Sequence, residues 1–185
     1  MVLLALSAAS IALAPTLMPD TYSWTSHTTS ESAAQGVDGA WLARLGFLLL
    51  GLAVIWLAVL KRASWGSWGM ALHLSFGALM IATAAFSTRP WEQGAGFDRT
   101  EDDLHSIAST GVGLSFAFGV LAVSLTRGRN GVSALALDVI AIAVAGVALP
   151  ISMSIWGEAD GILQRAIFLI AYAWYAAEAL RQSDG

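Results

Sequence analysis

Two residues suited to acid–base chemistry stand four positions apart in a hydroxyl-rich stretch, TYSWTSHTTSESAAQG, residues 21–36. His27 and Glu31 would share one face of a helical turn at that spacing. Farther along the chain, His105 follows a run of acids, and Arg165 lies just inside an apolar run. Imidazole and carboxylate groups can transfer protons, and a guanidinium can hold an anion. We therefore take as candidate catalytic residues His27, Glu31, His105 and Arg165.

Polar and aromatic side chains that we predict at the same end of the protein form a candidate ligand-binding set. Its members are Ser30, Arg44, Trp91, Gln164 and Arg165. The arginines suit an anionic headgroup, because guanidinium binds carboxylate and phosphate through two parallel hydrogen bonds. Glu31 is the single acidic residue in residues 21–36. We therefore predict that it pairs with Arg165 and that this pair folds the segment over that end of the protein. Glu158 and Asp160 are the alternative partners of Arg165.

The same side chains are weak candidates for a metal site. His27, Glu31 and His105 are metal-ligating types, but their spacing matches no established zinc signature. The chain contains no Cys, which excludes a thiolate site. A haem with two His ligands is disfavoured because His73 and His105 are predicted near opposite membrane faces. We expect no metal and no cofactor.

Two ionisable residues inside apolar runs form a predicted intramembrane pair. His73 and Asp138 each lie about two turns from the cytoplasmic end of a predicted span, so they share one depth. Charges within a span are functional candidates, which makes a proton or ion path one interpretation. A structural hydrogen bond between two helices is the other, and we favour it.

The elements that position these residues are membrane-spanning helices. The chain is 57% hydrophobic and 12% charged, with a mean hydropathy of +0.68, against roughly 45–50% and 25% in soluble domains. Six stretches approach the length of about 20 residues that spans a bilayer. They are residues 2–18, 41–60, 66–86, 104–126, 132–156 and 161–180. We predict one all-α domain over residues 1–185, a six-transmembrane-helix bundle. The net charge of −4 disfavours nucleic acid.

Charge in the connections predicts the orientation of this bundle. Basic residues follow spans two, four and six, namely Lys61, Arg62, Arg127, Arg129 and Arg181. The other three connections are mainly acidic. Loops rich in Lys and Arg stay in the cytoplasm, so both termini are predicted to be cytoplasmic and residues 21–36 extracytoplasmic. Pro15 and Pro150 near the outer ends of spans one and five could kink these helices and widen a vestibule.

Several short motifs resemble one known family. They are Ser26-His27-Thr28-Thr29-Ser30-Glu31, Phe86-Ser87-Thr88-Arg89-Pro90, His105 at the start of span four, and Gly161-Ile162-Leu163-Gln164-Arg165. In this order they resemble the domain of unknown function 998 family of prokaryotic multi-pass membrane proteins. The family usually has Leu where Ser32 stands and Asp where Arg89 stands. The resemblance implies six helices and an outward polar site, and it implies no particular activity.

Three functions are compatible with this pattern. The first is a cell-membrane protein that binds or processes a lipid headgroup or a small polar ligand at its outer face. The second is a non-enzymatic accessory subunit of a membrane complex, in which the outer polar cluster clamps loops onto the bundle. The third is a small transporter. The expected partners are membrane lipids and other membrane proteins, and whether the protein is an enzyme stays open.

Overall fold

The structure is a computed structural model that describes residues 1–127 and 132–181. This described part is helical and contains no strand. Its α-helices are α1 (Val2–Leu13), α2 (Ala40–Leu60), α3 (Arg62–Ala85), α4 (Arg99–Arg127), α5 (Val132–Val139), α6 (Leu149–Ile155) and α7 (Asp160–Leu180). Short 3₁₀ helices cover Ala14–Leu17, Glu31–Ala33 and Gly157–Ala159, and a π-helical segment, Ile140–Ala148, joins α5 to α6. Arg129, which contributes to the orientation argument, lies outside the described residues.

Four helical stretches in this part of the chain are long and apolar enough to cross a membrane. They are Ala40–Leu60, Arg62–Ala85, Arg99–Arg127 and Leu135–Ile155, and each contains at least 21 residues. The Val2–Leu17 helix is apolar but shorter. Helix α7 has 21 residues, and its apolar character is interrupted by Arg165 near one end and Glu178 near the other. The protein is therefore an all-helical membrane protein.

Glycine allows the helices of the bundle to approach closely. A Cβ on Gly51 of α2 would lie 2.7 Å from the Gly77 carbonyl oxygen of α3. Small residues at such crossings let backbones touch, which is how helices associate in lipid. Helix α3 packs on both α2 and α4, and α1 covers the other side of α2. A buried aromatic cluster of Trp65, Trp174 and Tyr175 fills the centre at one end.

The helix after α4 is irregular where the sequence predicts a kink. Leu149 donates its backbone N–H to Val144, five residues earlier, at the end of the π-helical segment, and Pro150 follows directly. Proline cannot donate this hydrogen bond, and both features bend helices. Helix α4 packs on the π-helical segment, whereas α6 packs mainly on α7. Residues of α4 and α6 line a gap between these two helices.

Candidate functional site

Residues 21–36, which we call the cap segment, fold over one end of the bundle, which we call the cap face. A capping box organises the segment. The backbone N–H of Glu31 donates to Thr28 Oγ1 at 3.1 Å, and the backbone N–H of Thr28 donates to Glu31 Oε2 at 2.6 Å. Thr28 Oγ1 also donates to Glu31 Oε2 at 2.9 Å. The Thr-x-x-Glu spacing is visible in the sequence, and it assigns one oxygen of Glu31 to holding the turn.

Arg165 fastens this segment through backbone carbonyls. Its Nη1 donates to the carbonyl oxygens of Trp24 at 2.7 Å, His27 at 2.9 Å and Gly161 at 2.9 Å, and its Nη2 donates to Tyr22 Oη at 2.6 Å. The predicted ion pair with Glu31 does not form, and the alternative acids do not pair with Arg165 in the described chain. The physical reason is that backbone carbonyls packed against the protein require donors, and the capping box already engages Oε2 of Glu31.

Other predicted ligand-binding residues also hold the cap segment in place. Arg44 donates to the carbonyl oxygens of Ala33 and Ala34, both at 3.1 Å, and Gln164 Oε1 accepts the backbone N–H of Ser30 at 3.2 Å. Gly161 permits the close contact, because a Cβ there would overlap the carbonyls of Trp24 and His27. The described hydrogen bonds of Arg44 and Arg165 go to backbone carbonyls and to Tyr22, so anion binding by these residues stays a prediction.

The acids beside His105 hold the connection between α3 and α4. Glu101 accepts the Ser87 backbone N–H at 2.8 Å, and Asp102 accepts that of Arg89 at 2.8 Å. His105 Nδ1 donates to the Phe86 carbonyl at 2.9 Å, and the side chain is buried. His105 thus lies beneath the connection and not beside His27 and Glu31.

An aqueous bowl of about 640 Å³ opens between the cap segment and the α3–α4 connection. Its lining consists of His27, Thr28, Glu31, Thr88, Arg89, Pro90, Trp91, Glu92, Gln93, Gly94, Ala95, Phe97 and Asp160. Among these described residues the carboxylates Glu31, Glu92 and Asp160 outnumber the single guanidinium of Arg89. The bowl is therefore net acidic, and the sequence reasoning missed Arg89, Glu92 and Asp160 as members of it.

An aromatic stack forms one wall of the bowl. The His27 ring stacks on Trp91 with centroids 5.2 Å apart, and Tyr22 meets Trp91 edge-on at 5.2 Å. His27 Nδ1 accepts the Ser23 backbone N–H at 2.9 Å. Since a backbone N–H can only donate, the neutral imidazole carries its proton on Nε2. That tautomer offers the bowl a donor and leaves no free lone pair for a general base or for a metal.

Burial and neighbouring charge alter the titration of two groups at the cap face. Burial, and then the charge of Glu31, raise the pKa of the Asp160 carboxyl, and its Oδ1 is buried without a partner in the described structure. Burial raises the pKa of the Tyr22 phenol, although the adjacent Arg165 opposes this shift. Glu31 and Asp160 both line the bowl. Within residues 1–127 and 132–181, no three acidic, His or Cys side chains are arranged to hold a metal ion.

Comparison with known proteins gives one match. The family model described as "Protein of unknown function (DUF998)" matches residues 1–181. The chain belongs to the DUF998 family. A search of the curated proteins and a search of the solved structures each found no match.

The residues that carry the DUF998 resemblance converge on the cap face. The Ser26–Glu31 motif contains the capping box, and the Gly161–Arg165 motif supplies the amide and guanidinium that hold it. His105 donates to the carbonyl of Phe86, the first residue of the Phe86–Pro90 motif. Motifs that are far apart in the sequence therefore meet in one structural unit, the cap segment with the residues that hold it in place.

The predicted pair of His73 and Asp138 is not joined directly. His73 Nδ1 is 2.9 Å from Tyr175 Oη, and its ring stacks on Trp174 at 4.9 Å. Trp174 in turn donates from Nε1 to Asp138 Oδ1 at 2.8 Å. The indole lies between the two residues, and both polar groups bond to α7. The described contacts support structural hydrogen bonding and show no continuous proton path.

Asp138 belongs to a larger cluster that the sequence reasoning did not find. Glu178, 3% exposed, accepts from Arg127 Nη2 at 2.7 Å and from Trp65 Nε1 at 2.8 Å. Arg181 also pairs with Glu178, and Arg127 Nη1 lies 3.6 Å from Asp138 Oδ2. We call Arg127, Asp138 and Glu178 the charge cluster. It lies at the end of the bundle opposite the cap face and joins α4, α5 and α7.

Proposed function

We propose that this protein spans the cell membrane of a prokaryote six times, with both termini in the cytoplasm and the cap face outside. Lys61, Arg62, Arg127 and Arg181 all lie at the end opposite the cap face, which suits the cytoplasmic side. Helices α1 and α7 pack beside the four long apolar helices and would serve as the first and last spans.

Fusions to a reporter that is active only outside the cytoplasm test this orientation. A phosphatase fused after residue 95 should be active, because that position lies in the α3–α4 connection at the cap face. The same enzyme fused after Arg129 should be inactive, because the connection after α4 carries basic residues. Comparable expression of both fusions is the control. The reverse pattern would place the bowl in the cytoplasm.

The bowl is proposed to bind a small polar ligand that carries a cationic group, either a free amine or the headgroup of a lipid. The observation that carries this proposal is the composition of the bowl: Glu31, Glu92 and Asp160 face a stacked His27–Trp91 wall. Carboxylates attract a cation, and an aromatic face adds a cation–π contribution of about 0.5–2 kcal/mol. Binding is favoured over catalysis because His27 in its neutral tautomer has no free lone pair.

An ammonium ligand and its neutral isostere separate charge recognition from simple filling of the bowl. Choline should bind the full chain in detergent micelles about tenfold more tightly than 3,3-dimethylbutanol, which has the same shape without the charge. Isothermal titration calorimetry measures both affinities. Asp160→Asn should reduce this preference, whereas Asp38→Asn, an exposed acid that does not line the bowl, should leave it unchanged. Equal binding of the two ligands would overturn the proposal.

The affinity should also depend on pH through Asp160. Because its pKa is raised, the carboxyl is still partly protonated where an ordinary Asp is charged, so choline affinity should rise as the pH increases through that pKa. The pH dependence of folding stability has the opposite sign, because the folded state holds the Asp160 proton more tightly than the unfolded state does. The stability contributed by the group is present at low pH and lost as the pH rises. Asp160→Asn should remove the part of both dependences that comes from Asp160.

A purely structural cap in an accessory subunit is the second candidate. The supporting observation is that Arg44, Arg165 and Gln164 bond mainly to the backbone of the cap segment. Absence of choline binding by a protein whose cap segment remains closed would favour this candidate.

A further inference from the structure

A second cavity lies inside the bundle, between α4, α6 and α7. Its volume is about 350 Å³, at the lower end of the roughly 300–1,000 Å³ of small-molecule sites. We call it the crevice. Its apolar wall includes Phe76, Met80, Phe116, Met153 and Phe168. It is distinct from the bowl, and no residue lines both.

The gap between α4 and α6 opens the crevice sideways. Gly113 and Leu114 on α4 and Pro150 on α6 line it, and all three are exposed on the outer surface of the bundle. Gly146 and Ala145 of the π-helical segment also line the crevice, where this segment approaches Ala117 of α4. The exposed rim therefore belongs to Leu135–Ile155 and Arg99–Arg127, two of the helices suited to crossing a membrane.

The crevice has a polar end and an apolar end. Ser30, Ser109, Thr110 and Gln164 lie at the end beneath the cap segment. The Nε2 of Gln164 donates no hydrogen bond to a described residue, because only its Oε1 is engaged, by Ser30. The floor is formed by the rings of Phe76 and Phe116, which rest against Tyr175.

The length of the crevice can be estimated from the helices that line it. It extends over Ser109–Phe116 of α4 and Gln164–Ala171 of α7, which is about 10 Å at a rise of 1.5 Å per residue. This distance reaches from the interfacial region well into the hydrocarbon layer, which is about 30 Å thick.

We propose that the crevice binds one acyl chain of a membrane lipid, with the ester end of the chain at Gln164 and Ser30 and the following methylene groups on Phe116. A gap between two membrane-spanning helices at this depth is surrounded by hydrocarbon and not by water, so acyl chains are the molecules that can fill it. Apolar cavities exclude water, and the free amide donor of Gln164 beneath the cap segment marks the polar end of the ligand. The proposal does not depend on what the bowl binds.

Photoreactive lipids test this assignment directly. The full chain is reconstituted in phosphatidylcholine vesicles that contain a trace of a phosphatidylcholine with a diazirine in one acyl chain, placed either near the ester or about ten carbons below it. After irradiation, mass spectrometry maps the cross-linked residues. The probe near the ester should label Thr110 and Gln164, and the deeper probe should label Phe116 and Phe168, each well above lipid-facing residues such as Leu52.

Blocking the mouth provides the matched comparison. Gly113→Phe should lower cross-linking in the crevice by about tenfold, and it should fold because a Cβ at Gly113 meets no atom within 4 Å. Leu121→Phe adds bulk at an exposed site on the same helix outside the crevice and should have no effect. Uniform labelling of all lipid-facing residues of the unmodified protein would overturn the proposal. Unchanged labelling of Phe116 in a folded Gly113→Phe protein would do so as well.

Discussion

Arg165→Lys should release the cap segment even though the substitution keeps the positive charge. The guanidinium donates to three carbonyl oxygens and to Tyr22 at once, and a lysine ammonium cannot reproduce this planar geometry. Hydrogen bonds to charged groups contribute about 1.5–3 kcal/mol each. Loss of one or two should therefore make opening of the cap segment easier by about 2–4 kcal/mol.

Cysteine labelling measures this opening, because the chain contains no native Cys. Ala33 is 1% exposed, so Ala33→Cys should react slowly with maleimide while the cap segment is closed. Adding Arg165→Lys should increase the rate by roughly 30-fold or more, the factor that corresponds to about 2 kcal/mol. Arg89→Lys is the control, since the Arg89 side chain is exposed and its described hydrogen bond comes from the backbone. Equal labelling of the Arg165→Lys and Arg89→Lys proteins would contradict the assigned role of Arg165.

Arg127→Met should destabilise the fold by about 3–5 kcal/mol, because it leaves the buried Asp138 without its described cationic partner and leaves Glu178 with Arg181 alone. Asp138 is 2% exposed and Glu178 is 3% exposed. Arg127 lies within ion-pair distance of both, and Trp65 and Trp174 supply only neutral donors to them. Removing an acid together with the arginine eliminates much of this penalty, since a buried pair replaced by apolar side chains is often neutral.

A double-mutant cycle with Glu178→Leu measures this coupling. Unfolding of the purified protein is followed in mixed micelles with increasing denaturing detergent for both single variants and for the double variant. The double variant should lose less stability than the sum of the two single losses. Arg62→Met is the control, because Arg62 is exposed and bonds only to Val59 of the preceding helix. If the stability losses of Arg127→Met and Glu178→Leu simply add in the double variant, the residues of the charge cluster do not stabilise one another.

The cap segment shows what kind of mistake sequence reasoning makes in such a protein. Glu31 and Arg165 have opposite charges and do lie at the same face, which makes their pairing a reasonable prediction. It is wrong because a local partner is available: Thr28, three residues away, forms the capping box with Glu31. The nearest unsatisfied groups of the folded backbone then bind the guanidinium. Counting backbone carbonyls that need donors is a better guide here than matching charges.

The amino-acid sequence by itself determined the helical character of the protein and the family to which it belongs. In a bilayer every backbone polar group must be hydrogen-bonded within the protein, and uninterrupted apolar runs of about 20 residues are the length of a spanning helix. The hydroxyl-rich residues 21–36 cannot lie in hydrocarbon for the same reason, so their composition alone places the segment at a membrane face. The composition and hydrophobic pattern of each segment therefore predict whether that segment lies in the membrane, without information from the rest of the chain.

Only the tertiary structure decided which polar groups meet. Glu178 and Arg127 are 51 positions apart in the chain, and whether they face each other depends on the rotation of α4 and α7 about their own axes. Likewise, Trp174 separates His73 from Asp138 although both lie at the same depth. The crevice depends on how α4, α6 and α7 pack, because residues from all three helices line it. Helix rotation and crossing angle arise from packing over the whole bundle, and no local pattern of residues encodes them.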